Sequence, residues 1–239
     1  MNGLIALLGS GEYLPVMDEV DRHLLASTHR NGSQARVLCL PTAAGQEGDF
    51  TVGRWSRMGE GHFRALGAQA EALRIIDRAS ADDPQFEPLL EAADLIYFSG
   101  GNPLYLYETM QGSRAWAAAQ KAWSRGAVYA GCSAGAMILA REMPNFRTGG
   151  LTGSPGFGIV PAVYVMPHFD HIPGPWKVMV NLLRGRLKEG EIMLGLDEDT
   201  ALVGRLGGEW RVLGKSRVHV ITRKGSQTYT AGQSVPLAG

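Results

Sequence analysis

The chain has little of what would tie it to a disulfide framework, a membrane, a nucleic acid or a resident metal. Of its 239 residues only two are cysteine, Cys39 and Cys132, too few for a disulfide scaffold. Its 23 Lys plus Arg are matched by 23 Asp plus Glu, so no net field draws it to nucleic acid or to an anionic membrane. The longest nearly uncharged apolar run, residues 127–140, is broken by glycines and too short for a bilayer, which needs about 20 residues. No Lys or Arg precedes the brief apolar run near the start, so no secretory signal is read and a cytoplasmic location is expected. Gly9-Ser10-Gly11 is not a dinucleotide fingerprint, because Leu14 stands where a third glycine belongs. His168, Asp170, His171 and the acids at 197–199 are types that suit a divalent metal. No H-E-x-x-H and no cysteine pair accompanies them, so no metal and no cofactor are expected.

What is present is a core-forming chain, 45% hydrophobic and 19% charged, long enough for one sizeable domain. Apolar strand-like runs at 4–8, 36–40, 72–76, 95–98 and 127–131 alternate with helical patterns at 15–26, 55–66, 84–93 and 105–124. That alternation predicts βαβ units and a mostly parallel α/β sheet between helices. Ligands bind such sheets beyond the carboxyl ends of the strands. Gly9-Ser10, Pro41-Thr42, Gly100-Gly101-Asn102 and Ser133 all follow strands and should therefore share one edge. After residue 192 short β-like runs separated by glycine turns predict a meander that extends or flanks the main sheet. Without repeats, low-complexity tracts or a linker, residues 1–239 read as one domain with a β-rich extension over 201–239.

Gly131-Cys132-Ser133-Ala134-Gly135 matches the G-x-S-x-G nucleophile elbow, in which a serine sits at a sharp strand-to-helix turn. The helix expected to follow would aim its N–H groups and the positive end of its dipole beside Ser133. The bland alternative is a glycine-rich contact between helix and sheet. A cysteine elbow centred on Cys132 fails on frame, since it would need glycine at Ala130 and Ala134. A serine nucleophile needs a base and an orienting acid. His23, His29 and His62 fall in or at the ends of helical patterns and read as surface residues, and His219 as a solvent-facing strand residue. His168 directly follows an apolar run stopped by Pro167, where a strand-end catalytic residue belongs, with His171 in reserve. For the acid, Asp197, Glu198 and Asp199 lie between two strand-like runs, with Asp170 and Glu142 as weaker alternatives. A histidine preceding its acid departs from the α/β-hydrolase order.

Four segments together resemble peptidase family S51, which comprises dipeptidase E and cyanophycinase. Phe98-Ser99-Gly100-Gly101-Asn102 resembles its glycine-rich oxyanion loop, and Ala130-Gly131-Cys132-Ser133-Ala134-Gly135-Ala136 its serine turn. Met166-Pro167-His168-Phe169 is similar to the dipeptidase E histidine segment. Gly195-Leu196-Asp197-Glu198-Asp199-Thr200-Ala201 is similar to a cyanophycinase segment. The resemblance implies the flavodoxin-like sheet of class I glutamine amidotransferases and a serine peptidase acting on short peptides, with a homodimer left open. It implies Ser133 as nucleophile, His168 as base, Glu198 as the orienting acid, Gly101 and Ala134 as oxyanion donors, and Gly100 and Asn102 at the substrate. Dipeptidase E carries arginines after its histidine, where this chain offers only Lys177. It also carries an aspartate after its serine, where this chain has Arg141-Glu142 and Arg147-Thr148. Aspartyl dipeptides, β-aspartyl isopeptides and a non-catalytic scaffold therefore all stay open.

Overall fold

The computed structural model describes residues 2–28, 34–145 and 150–237; His29 and Arg147-Thr148 lie outside them. The strands and helices are, in chain order, β1 (Ile5–Leu8), α1 (Asp18–Ala26), β2 (Arg36–Leu40), α2 (Asp49–Ala65), β3 (Gln69–Ala72), α3 (Arg78–Ala81), α4 (Glu87–Glu91), β4 (Leu95–Phe98), α5 (Pro103–Met110), α6 (Arg114–Ser124), β5 (Val128–Cys132), α7 (Ala134–Met137), β6 (Glu142–Asn145), β7 (Gly150–Pro155), β8 (Tyr164–Met166), α8 (Gly174–Arg186), β9 (Ile192–Leu196), β10 (Thr200–Gly204), β11 (Trp210–Gly214), β12 (Arg217–Thr222), β13 (Ser226–Thr230) and β14 (Ser234–Val235).

Eight strands form the main sheet in the order β14-β11-β10-β1-β5-β4-β2-β3. β1, β5, β4, β2 and β3 run parallel, and β10, β11 and β14 continue the sheet antiparallel. Every residue of β1, β4 and β5 is buried, as expected where helices cover both faces of a parallel sheet. Ile5, Leu7, Phe98 and Tyr129 face one layer, and Leu8, Cys39, Tyr97 and Cys132 the other. The predicted meander divides its strands. β10, β11 and β14 extend the main sheet, while β9, β12 and β13 join β8 in a second sheet, ordered β13-β12-β9-β8.

Three expectations need correction. The third strand lies over Gln69–Ala72 rather than 72–76. Its alternation of exposed and inward positions suits an edge strand, while Leu73 and Ile75 are buried beyond its end. The helix expected over 105–124 is two helices. Gly112, at φ +67°, takes a left-handed conformation that breaks the first. Ser113 then caps the second, its Oγ accepting from Trp116 N–H at 3.0 Å. The helix after Ser133 is a single four-residue turn, too short to build a sizeable macrodipole.

Candidate active site

The turn around Ser133 is dictated by crowding. A Cβ on Gly131 would lie 2.3 Å from the Gly135 carbonyl oxygen, and one on Gly135 would lie 2.6 Å from that of Phe98. Only glycine fits at either place. The Tyr129 hydroxyl donates to the Gly135 carbonyl at 2.7 Å, and Ser133 N–H donates to Leu8 O at 3.0 Å. Both ends of the turn are thereby tied to the sheet, which holds Ser133 at φ +48°, ψ −103°. Such a backbone costs about 1–3 kcal/mol and persists only where its surroundings enforce it. Ser133 is half-buried among fully buried neighbours. Ala134, the first residue of α7, carries an N–H that has no partner within its own helix.

β8 and β9 pair in parallel with Met166 opposite Gly195, so the chain leaving each strand emerges on the same side. His168 leaves β8 through Pro167 in a left-handed conformation, φ +51°. A single 3₁₀ turn, Phe169–His171, follows it. The His168 imidazole spans two groups: Nε2 lies 3.2 Å from Ser133 Oγ, and Nδ1 lies 2.7 Å from Glu198 Oε1. Serine, imidazole and carboxylate therefore form one continuous line of hydrogen bonds.

The three neighbouring acids take different partners because they span the turn between β9 and β10, which swings each side chain in its own direction. Asp197 is buried and accepts from Ser216 Oγ at 3.0 Å, with His219 Nε2 at 2.9 Å. Glu198 turns the other way, to His168. Asp199 adopts φ +54°, and its N–H donates to Ser10 Oγ at 3.3 Å. Asp170 turns to the backbone of the acid segment: its Oδ1 accepts from Glu198 N–H at 2.9 Å. Partial burial pushes the Asp170 carboxyl up, but the Glu198 N–H and the neighbouring His171 outweigh it and hold the group below its ordinary value. His171 Nδ1 is 3.3 Å from both Asp170 Oδ1 and Glu198 Oε2, so the reserve histidine contacts the acid. Glu142 bonds the Tyr164 hydroxyl.

The other histidines divide. His23 is exposed, as expected. His62 is not a surface residue: its ring is buried against Asp21, Nε2 to Oδ2 at 2.7 Å. His219 is not solvent-facing either, since it is held by Asp197 and packs on Phe169 at 4.8 Å between ring centroids. Periodicity marks which face of an element is inward, but not which polar side chain finds a buried partner.

The glycine loop after β4 reaches the serine from the other side. A Cβ on Gly100 would stand 3.4 Å from Ser133 Cβ, and one on Gly101, at φ +143°, 2.5 Å from the Ala43 carbonyl carbon and oxygen. Gly101 is exposed beside the buried Gly100. Asn102 N–H donates to Ala43 O at 2.8 Å, and its Oδ1 accepts from Tyr105 N–H at 3.2 Å as the cap of α5. Lys177 is an exposed residue of α8. One participant escapes sequence reasoning. The buried Glu12 accepts from Gly100 N–H at 2.9 Å and from Cys132 Sγ at 3.0 Å. Its only advance signal is a lone acid in a glycine loop at a strand's carboxyl end.

The family model for peptidase family S51 matches residues 5–208. The chain belongs to peptidase family S51. Peptidases of this family are serine peptidases, and the enzyme is one of them. It is 26% identical over 232 residues to a cyanophycinase of Synechococcus elongatus, an alignment spanning 92% of this chain and 68% of that one. It is 28% identical over 171 residues to an uncharacterized peptidase of Bacillus subtilis, covering 71% and 70% of the two chains. In three dimensions it matches a peptidase from an acI-B1 actinobacterium with TM-score 0.87 and 38% identity, over 98% and 97% of the chains. A candidate peptidase E protein of Listeria monocytogenes shares the fold, at TM-score 0.60 and 19% identity over 97% and 100% of the chains. No helix among the described residues is long and apolar enough to cross a membrane.

Proposed function

We propose that this S51 peptidase hydrolyses short peptides through a Ser133–His168–Glu198 triad, with aspartyl dipeptides as its first substrate class. The observation that carries the reading is the hydrogen-bonded line from Ser133 Oγ through both nitrogens of His168 to Glu198. His168 Nε2 takes the Ser133 proton as Oγ attacks the scissile carbonyl, then returns it to the leaving amine. Glu198 keeps the proton on Nδ1 and stabilises the imidazolium that forms. The N–H groups of Gly101 and Ala134 receive the oxyanion, and Gly100 and Asn102 shape the loop against which the substrate lies. No cofactor enters these steps, and the natural partner is a small peptide. Two buried, unpaired thiols support a cytoplasmic home for the chain.

A second substrate class is favoured by a specific observation. The acid here is a glutamate in a segment like that of cyanophycinase, and proteins of that name are among the relatives. Under this reading the scissile bond is a β-aspartyl isopeptide. Assaying Asp-X dipeptides, β-Asp-Arg and Leu-X dipeptides side by side separates the two. Turnover of α-linked Asp-X alone supports the dipeptidase reading; turnover of β-Asp-Arg alone replaces it with the isopeptidase.

A further inference from the structure

Glu12 is not among the triad or the oxyanion donors, yet it is buried against the glycine loop that follows β4. Both of its oxygens are occupied. Oε1 accepts from Gly100 N–H at 2.9 Å and Oε2 from Cys132 Sγ at 3.0 Å. Burial pushes the Cys132 thiol well above its ordinary range, so the sulfur keeps its proton and remains a donor. Glu12 thus bridges the loop that follows β4 and the residue immediately before Ser133. The two segments meet closely, since the Cβ position of Gly100 is 2.7 Å from Glu12 Oε1 and 3.4 Å from Ser133 Cβ.

We infer that Glu12 is a positioning residue that sets the oxyanion loop against the nucleophile. The inference rests on the reading of Ser133 as that nucleophile. A peptide plane is rigid, so anchoring Gly100 N–H fixes the Ser99–Gly100 unit as far as Gly100 Cα, the point from which the Gly100–Gly101 unit starts. Gly101 is anchored on its far side by the bond from Asn102 N–H to Ala43 O. Its own N–H is therefore aimed by two flanking bonds rather than by its flexible backbone. Without Glu12 the loop keeps the bonds from Ser99 N–H to Leu40 O and from Asn102 N–H to Ala43 O on either side, but Gly100 N–H between them is left to seek another acceptor. A misaimed oxyanion donor acts like a missing one, and a missing one slows the reaction by about 10²–10³-fold.

The test needs no knowledge of the natural substrate. An alkyl fluorophosphonate reacts with an activated serine. Oγ forms a bond to phosphorus, the P–F bond breaks, fluoride leaves, and the serine proton passes to His168. The phosphoryl oxygen occupies the oxyanion position, so the second-order rate reports the loop directly. Rates would be measured by intact mass on wild type, Glu12→Ala, Glu12→Gln and Ser133→Ala, alongside thermal melts. We expect Glu12→Ala to label about 10²-fold more slowly per folded molecule. Glu12→Gln, whose carbonyl can still accept from Gly100 N–H, should recover to within about tenfold of wild type. If Glu12→Ala does not fold, Glu12→Met replaces it, keeping volume while accepting from neither donor. A lowered melting temperature with an unchanged labelling rate would make Glu12 merely structural and overturn the inference. Equal loss in the alanine (or methionine) and glutamine variants would also overturn it, by pointing to charge rather than to the bond. A wild type that labels no faster than Ser133→Ala would remove the serine reading itself, and the inference with it.

Discussion

Replacing Glu198 by glutamine removes one charge while keeping a similar shape, and it separates a catalytic line from an ordinary ion pair. In the resting enzyme the carboxylate accepts from His168 Nδ1 at 2.7 Å. In the proposed mechanism the ring becomes an imidazolium during acylation, about 4 Å from the centre of that charge, a separation worth about 4 kcal/mol at an effective dielectric near 20. His168 and Glu198 retain 45% and 36% of their side-chain exposure, so solvent screening trims this to about 3 kcal/mol. At 1.36 kcal/mol per factor of ten, Glu198→Gln should lower kcat by about 10²-fold. KM should hardly move, because the imidazolium exists only after the proton is taken. The assay is steady-state hydrolysis of whichever peptide the panel identifies, with Asp170→Asn and Asp197→Asn measured in parallel. A Glu198→Gln variant within threefold of wild type would refute the reasoning. A larger loss in Asp170→Asn would transfer the orienting role to that residue.

Other consequences concern the frame that holds the line. Gly101→Ala places a Cβ 2.5 Å from the Ala43 carbonyl carbon and oxygen at a φ of +143°, so its melting temperature should fall below that of wild type. His219→Ala removes a partner of the buried Asp197 and the ring packed on Phe169. At about 2 kcal/mol for a hydrogen bond to a charged group, the melt should drop by about 4–8 °C in a chain of this size. Asp170, held below its ordinary aspartate value of 3.8, contributes stability that is present above that pH and lost as the pH falls through its folded value. Denaturant titrations should therefore show Asp170→Asn destabilised at neutral pH and the gap to wild type narrowing below pH 3.8. Cys39 and Cys132 are buried, with Cys39 pushed up to about 12, so a thiol reagent should find no fast cysteine until denaturant exposes both.

How far the sequence carried this account depended on whether a residue's role is local. Apolar runs located β1, β2, β4 and β5, because a parallel strand buried on both faces is written in consecutive apolar residues. Strand ends and glycines predict that Gly9-Ser10, Pro41-Thr42, Gly100-Gly101-Asn102 and Ser133 share one edge, whereas His168 is read from its own apolar run, which the structure puts in the second sheet. The adjoining parallel ends of β8 and β9 then explain why Glu198 reaches His168. The edge strand β3 was less visible, since half its residues face solvent and Leu73 and Ile75, apolar but outside the strand, are the stronger signal. The choice among Asp197, Glu198 and Asp170 turned on which way each side chain points, and a row of acids does not encode that. Glu12, and the burial of His62 and His219, depend on partners far away in the chain: Gly100 and Cys132, Asp21, and Asp197. No local pattern announces such pairs.

The central claim is that Ser133 attacks the peptide carbonyl. Hydrolysis of Asp-X dipeptides and β-Asp-Arg by wild type and Ser133→Ala, at matched concentration and with folding checked by circular dichroism, tests it most directly. The account predicts cleavage by wild type and at least a 10³-fold loss in Ser133→Ala, since removal of the nucleophile leaves only binding and oxyanion contacts. A folded Ser133→Ala that cleaves within tenfold of wild type would contradict it.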